Sequence, residues 1–304
     1  MAVKTGRRLL VTGASGFLGW NICRNAPASD TVIGVGNNNT TGLSSVDEVR
    51  GDLTDKEFLT GLFSRYRPDA VIHTAAAADP NFCQQNPEAS AAINIIATVT
   101  LARHCTHAQI PFLFTSTDLV FDGKHPPYNE TAPIGPLNLY GQQKAAAENE
   151  LLKLDGRIIV CRMPLMYGDA PPHAKSFIHP MIATLREGRR LALFTDEYRT
   201  PLSARDAAAG ILLLLYSGRT GIFHLGGPQR LSRFATGTLL AEAIGCTARI
   251  VPCRQKDVPM AAPRAADVSL NSTRAAAEGF SPRRMGEVLP ELECIRSILP
   301  HCAS

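Results

Sequence analysis

The run Thr12-Gly13-Ala14-Ser15-Gly16-Phe17-Leu18-Gly19, directly behind the apolar Leu9-Leu10-Val11, decides how the rest of this sequence is read. Residues 8–11 have the composition of a strand and residues 17–25 that of a helix, so the three glycines fall in a strand-to-helix turn. Gly13 permits the tight turn, Gly16 lets the backbone come close to a pyrophosphate, and Gly19 lets the helix pack against the sheet. Unpaired amides at the helix start, at Phe17 and Leu18 behind Ser15, then face the anion. A plain tight turn is the alternative for an isolated glycine triplet; the N-terminal position and the flanking strand favour a dinucleotide site.

Outward from this turn, β-rich and helical stretches alternate: strands at 31–35, 70–73 and 112–116, helices at 55–65 and 89–105, then a long helix at 138–154 and a strand at 157–162. Such alternation predicts a parallel doubly wound α/β sheet of the Rossmann type over residues 1–168. Turn-rich stretches at 125–137 and 164–173 fall where strands should end. Beyond Gly168 the pattern loosens, with helices at 176–187, 206–217 and 232–244 and short strands at 191–194 and 249–251. This predicts a smaller, discontinuous substrate lobe over 169–304, with 201–225 returning to the first domain.

The bulk numbers agree with an ordinary globular protein. With 304 residues, 45% hydrophobic and 19% charged, the chain can bury one large core, or a large core and a smaller lobe. A net charge of +4 with scattered Arg pairs argues against nucleic acid as a partner. Leu9-Leu10-Val11 and residues 211–215 are too short for a leader core or a membrane span, which points to the cytoplasm and away from membranes. Eight cysteines without a Cys-x-x-Cys pair fit reduced thiols and give no support for a metal site.

The end of the second strand, Val35-Gly36-Asn37-Asn38-Asn39, lacks the acid that an NAD-preferring fold places against the adenosine ribose. The preference therefore leans to NADP over NAD, although no arginine stands in this run to hold a 2′-phosphate. Asp52, followed by Leu53, either meets the adenine edge or belongs to the cap of the helix beginning near Asp55.

Tyr140 and Lys144 stand four residues apart in a helical segment and project from one face. A tyrosine, with a reference pKa of about 10, becomes a useful acid-base group near neutrality when an ammonium favours its phenolate. An exposed pair without a role is the alternative. The strand Phe112-Leu113-Phe114-Thr115-Ser116-Thr117 ends in hydroxyls able to bond a substrate oxygen, and this raises the catalytic reading.

These motifs occur in order with Ser116-Thr117-Asp118, Val120-Phe121-Asp122-Gly123, Pro127-Tyr128-Asn129-Glu130, Arg67-Pro68-Asp69, Asn86-Pro87-Glu88, Thr200-Pro201 and Pro263-Arg264. Together they resemble the extended short-chain dehydrogenase/reductases, in their dTDP-4-dehydrorhamnose reductase-like branch, over nearly the whole chain. The resemblance implies a Tyr140 general acid, Lys144 as its partner and ribose ligand, and a Thr117 hydroxyl that orients the substrate oxygen. It also implies a cofactor wall at Ala75, Ala76, Ala77 and Pro164, and a helix-distorting or water-relay role for Asn94. Asp118, Val120, Arg199 and Arg264 become candidate substrate residues, the two arginines serving either a diphosphate or surface ion pairs.

Two departures bear on the substrate. Leu119 replaces the tyrosine usual in this branch and the glutamate that related dehydratases require, so dehydration is disfavoured; Ala262 replaces an arginine common before the Pro-Arg pair. The resemblance implies an NAD(P)H-dependent reductase of a ketone, with a 4-keto-6-deoxy nucleotide sugar as the family default and a homodimer compatible with the helix faces. Two other readings stay open. One is a cofactor-binding regulatory subunit, since Pro136-Leu137-Asn138-Leu139-Tyr140-Gly141 is similar to a run in the methionine adenosyltransferase β subunit; the other is a nucleotide-sugar epimerase.

Overall fold

The computed structural model describes residues 6–246 and 250–298; Arg249 and Cys302, used in the sequence reading, lie outside them. The first half runs β1 (Arg8–Thr12), α1 (Phe17–Asn25), β2 (Thr31–Gly36), β3 (Val46–Arg50), α2 (Lys56–Tyr66), β4 (Ala70–His73), α3 (Pro80–Gln85) and α4 (Pro87–Ala91). A π-helical turn, Ala92–Ala97, joins α4 to α5 (Thr98–His107); β5 (Phe112–Thr117), α6 (Leu139–Leu151) and β6 (Ile158–Met163) follow. After β7 (Met166–Tyr167) come α7 (Ile178–Arg186), β8 (Leu191–Phe194), β9 (Tyr198–Arg199), β10 (Leu202–Ser203) and α8 (Ala204–Ser217). The chain continues through β11 (Gly221–His224), β12 (Leu231–Ser232), α9 (Arg233–Ala243) and β13 (Ile250–Cys253).

Seven parallel strands form one sheet in the order β11-β6-β5-β4-β1-β2-β3, the doubly wound Rossmann-type α/β architecture. The strands are near-continuous apolar runs because helices cover both faces: Leu9, Val11, Ile72, Leu113 and Ile159 pack towards the side of α1 and α8, and Leu10, Val71, Phe112, Phe114 and Val160 towards that of α2, α5 and α6. Fully burying one such side chain contributes roughly 1.5–3 kcal/mol. The winding reverses between β1 and β4, so the strand ends open a crevice there, where open α/β sheets bind ligands.

Two features differ from the sequence reading. The edge strand β3, Val-Asp-Glu-Val-Arg, carries three charged residues and is half exposed, so it shows no apolar alternation and reads as a loop. The helix expected at 89–105 is broken into α4, the π-helical turn and α5, with Asn94 buried inside the turn. A separate apolar cluster, Tyr167, Ile178, Met181, Leu193, Leu240, Val288 and Ile295 among others, binds α7, α9 and the β8–β13 pair to the chain's last helices. After β10, α8 lies against α1, and β11 adds the outer strand beside β6.

Candidate active site

The glycine turn is built as its residue types require. Gly13 has φ +67°, and a Cβ there would sit 2.7 Å from the Ala75 nitrogen. A Cβ on Gly19 would lie 2.2 Å from the Gly13 carbonyl oxygen, so this glycine lets α1 close upon the turn itself. No side chain caps α1 at Gly16, which leaves its first amides for an anion. A groove of about 340 Å³ opens beside them, lined by Gly13, Ser15, Gly16, Asn37, Asp52, Leu53, Ala75 and Ala76 among others. Its shape and its glycine cradle fit the adenosine and diphosphate portions of a dinucleotide. Asp55 caps α2 through the amides of Glu57 and Phe58, whereas the Asp52 carboxylate accepts from the Thr54 amide and stays at the groove.

A second cavity, of about 430 Å³, lies further along the strand ends. Phe17, Thr117, Asp118, Tyr140, Pro164, Arg199 and Arg264 all line it, as do Lys175, Glu197, Arg233 and Met260. Another, of about 460 Å³, sits behind α1 among Arg24, Arg205, Arg283 and Glu291, and no residue of the catalytic set touches it.

Local structure explains how Tyr140 reaches the cavity. Asn138 caps α6 by accepting from the Gly141 amide at 3.0 Å, and its own amide donates to the Pro263 carbonyl at 3.1 Å, beside Arg264. A Cβ at 141 would be 2.2 Å from the Leu119 carbonyl oxygen, so the glycine after the tyrosine lets α6 abut the end of β5. That contact sets the phenol beside Thr117 and Asp118.

Burial holds the Tyr140 phenol above the ordinary tyrosine value, with Asp118 and Cys83 acting in the same direction and the Thr117 hydroxyl opposing them. Lys144, from which a downward pull is expected, is not among the groups that set it. Lys144 is itself buried, its Nζ 4.1 Å from the Phe114 ring centroid, and desolvation lowers its pKa to about 7. In this cleft the phenol is therefore a neutral proton donor at pH 7, and the lysine is poised between charged and neutral.

Behind them lies a polar network. Asn94 accepts from the Ala77 amide at 2.9 Å and donates to the Ala77 carbonyl at 3.1 Å and to Gln143 Oε1 at 2.8 Å. It thus clamps the alanine wall to α6 from behind and does not line either cavity. His73 bridges Thr12 and Thr98 at 2.6 and 2.9 Å, and burial lowers its pKa to about 3, so it stays neutral.

The substrate candidates divide. Asp118 and Arg199 line the cavity but face each other at 3.2 Å, both buried, and Arg199 also meets Glu197 at 3.5 Å. Burial raises the Asp118 pKa against the opposing pull of Arg199. Arg199 is thereby committed to two carboxylates. Val120 belongs to the core with Phe121, Tyr128 and Val268, away from the cavity, because the turn after Asp118 points it inward. Leu18 packs into the core, leaving only its backbone at the turn.

Sequence reasoning missed Arg233, Lys175 and Glu197. Arg233 is the first residue of α9, its guanidinium 4.7 Å from the Phe177 ring centroid. Burial, followed by repulsion from Arg199 and Arg264, lowers its pKa against the pull of Glu197. A cation at the positive end of a helix is electrostatically unfavourable, and Ser232-Arg233 at a helix start is a signal that the sequence carries. Counted together, four cations and two carboxylates line the cavity.

A doubly wound fold with this glycine turn, a β5 ending in hydroxyls and a helix-borne tyrosine at the cavity, its lysine buried one turn behind, defines the class: an extended short-chain dehydrogenase/reductase. Within it, the chain belongs to the RmlD substrate binding domain family, whose model matches residues 7–293, and so to the dTDP-4-dehydrorhamnose reductase-like branch. It is 31% identical over 260 residues to the probable low-salt glycan biosynthesis reductase Agl14 of Haloferax volcanii, covering 84% of this chain and 87% of that protein. It is 26% identical over 283 residues to methionine adenosyltransferase 2 subunit beta of Danio rerio, covering 90% and 86%. A solved structure from Sulfolobus tokodaii, a hypothetical dTDP-4-dehydrorhamnose reductase, superposes with a TM-score of 0.80 at 32% identity, covering 89% of this chain and 94% of that one. Among the described residues, no helix is long and apolar enough to cross a membrane.

Proposed function

We propose that the chain is an NAD(P)H-dependent reductase that converts a ketone on an anionic substrate, of the 4-keto-6-deoxy nucleotide-sugar type, to an alcohol. The observation that carries the reading is the cavity that brings Tyr140, Thr117 and three arginines together at the end of a dinucleotide groove. A bound reduced nicotinamide supplies the hydride for the carbonyl carbon. The Tyr140 phenol gives its proton to the carbonyl oxygen, and the Thr117 hydroxyl orients that oxygen and stabilises the developing alkoxide. Lys144, one helical turn behind, serves the ribose side and in its charged form stabilises the phenolate left on Tyr140 as the proton leaves. Arg233 and Arg264 serve the anionic part of the substrate; Arg199 holds Asp118 and Glu197 in place. In this reading the lobe largely built from 169–200 and 226–298 forms the substrate side.

The test is consumption of reduced nicotinamide by the purified protein with a nucleotide-linked 4-keto sugar. Tyr140→Phe should lower kcat at least about a hundredfold while dinucleotide binding persists. Wild-type turnover in that variant would remove Tyr140 as the acid. The likeness to methionine adenosyltransferase 2 subunit beta favours a second reading, a cofactor-binding regulatory subunit. That subunit would bind dinucleotide yet turn over no ketone.

A further inference from the structure

The unforeseen strand β3 changes the cofactor side of the site. Its register with β2 sets Val46 opposite Val32, Glu48 opposite Gly34 and Arg50 opposite Gly36. Side chains in register on neighbouring parallel strands share a face, and alternate residues share it too. Two contacts identify that face. A Cβ on Gly34 would meet the Val46 side chain and Ala14, and a Cβ on Gly36 would point at the Ser15 hydroxyl, 3.1 Å away, and the Asn39 carbonyl oxygen. Arg50 therefore extends from the face that carries the glycine turn and the Asn37–Asn39 loop, one strand from Gly36 and next in the chain to Gly51, both of which line the groove.

Arg50 is exposed, and among the described residues its guanidinium forms no ion pair or hydrogen bond. The neighbouring acids are otherwise engaged or turned away. Glu48, on the same face, accepts from the amides of Thr41 and Gly42 and from the Thr41 hydroxyl. Asp52 accepts from the Thr54 amide, and Asp47 lies on the opposite face. The loop after Gly36 offers three neutral asparagine amides and no carboxylate, so no anionic acceptor stands there for a ribose 2′-hydroxyl and nothing there repels a phosphate.

We propose that Arg50, with the amides of Asn37 and Asn38, forms the pocket for a 2′-phosphate and makes this chain select NADPH over NADH. The inference rests on the dinucleotide reading of the groove, and it names an arginine that the strand-two sequence lacks. Guanidinium binds phosphate through paired donors, and a charge-assisted bond of this kind accounts for about tenfold or more in affinity.

Equilibrium binding to the purified full-length chain tests it without turnover, with NADPH, NADH, 2′,5′-ADP and 5′-ADP as probes. The wild type should bind NADPH at least tenfold tighter than NADH, and 2′,5′-ADP tighter than 5′-ADP by a similar factor. Arg50→Gln should erase both preferences while leaving the NADH Kd within about twofold and the Tm unchanged, since the side chain is exposed. Asn37→Asp should move selectivity towards NADH. Equal or tighter NADH binding by the wild type, or equal weakening of both cofactors by Arg50→Gln, would overturn the assignment. If no dinucleotide or ADP analogue binds, the oxidoreductase reading fails and takes Arg50 with it.

Discussion

The groove beside the glycine turn and the cavity at Tyr140 lie on either side of Ala77, with Ala75 and Ala76 lining the first and Ala78 the second, yet they are made of different materials. The groove is mostly backbone: glycines, short alanines, asparagine amides and a helix start without a side-chain cap. The cavity is built of side chains, six of them charged and set among apolar ones such as Phe17, Phe177 and Met260, contributed by β5 and the turn after it, α6, the loop before α7, β9, α9 and the loop before residue 265. A backbone site depends on a few positions where a side chain cannot fit. A charged site depends on every ion finding its partner, because an unmatched buried charge is costly.

The largest effect should come from breaking the charged wall. Arg199→Leu leaves Asp118 buried without its cation and Glu197 with Arg233 alone, and a loss of about 3–5 kcal/mol in urea unfolding is expected. Adding Asp118→Asn should recover part of it. A loss below about 1 kcal/mol would mean that the two regions are less different than their construction says.

Next in size is Gly13→Val in the groove. The residue would need φ +67° with its Cβ 2.7 Å from the Ala75 nitrogen, so about 2–3 kcal/mol of stability should disappear together with dinucleotide binding. Unaltered cofactor affinity would show that the backbone cradle does not hold the diphosphate.

The smallest effect sharpens the comparison at the junction. The Lys144 amine has a pKa of about 7 in the folded protein against an ordinary 10.5, so between those values the unfolded chain holds the extra proton. Stability without cofactor should rise as pH climbs through that window, and below pH 7 both states are protonated and the burial cost is at its full value. Lys144→Met should accordingly raise the Tm of the cofactor-free protein near pH 6, by about 2 °C for about 1 kcal/mol, with the gain fading towards pH 10. A lower Tm at pH 6 would show that the contact with Phe114 outweighs desolvation.

How much of this was legible from the residues follows the same division. The glycine turn, the Tyr140/Lys144 spacing and the hydroxyl end of β5 are local patterns of up to eight residues, each with a steric or helical reason that needs no tertiary contact. The Val46–Arg50 strand was not legible, because an edge strand with one covered face and three charges has no period to detect. Arg233 and Asp118 approach Arg199 only after three separate segments fold together, and the contact with Asp118 decides for the ion pair between the two roles, anion ligand or ion pair, that the sequence left open for Arg199. Val120 sat in a motif shared with site residues but turned into the core, since one residue along a tight turn reverses the direction of a side chain.

By itself the sequence determined the doubly wound sheet, the place of the glycine turn and the Tyr/Lys spacing on one helix, since periodicity, steric need for glycine and helical spacing act over a few residues. Only the tertiary structure decided which charges neutralise one another, the protonation of the buried phenol and amine, and the neighbour that Gly36 finds in Arg50. Those properties depend on burial and on distances between segments far apart in the chain, and electrostatic free energies are set by such distances and by the loss of water around the ions.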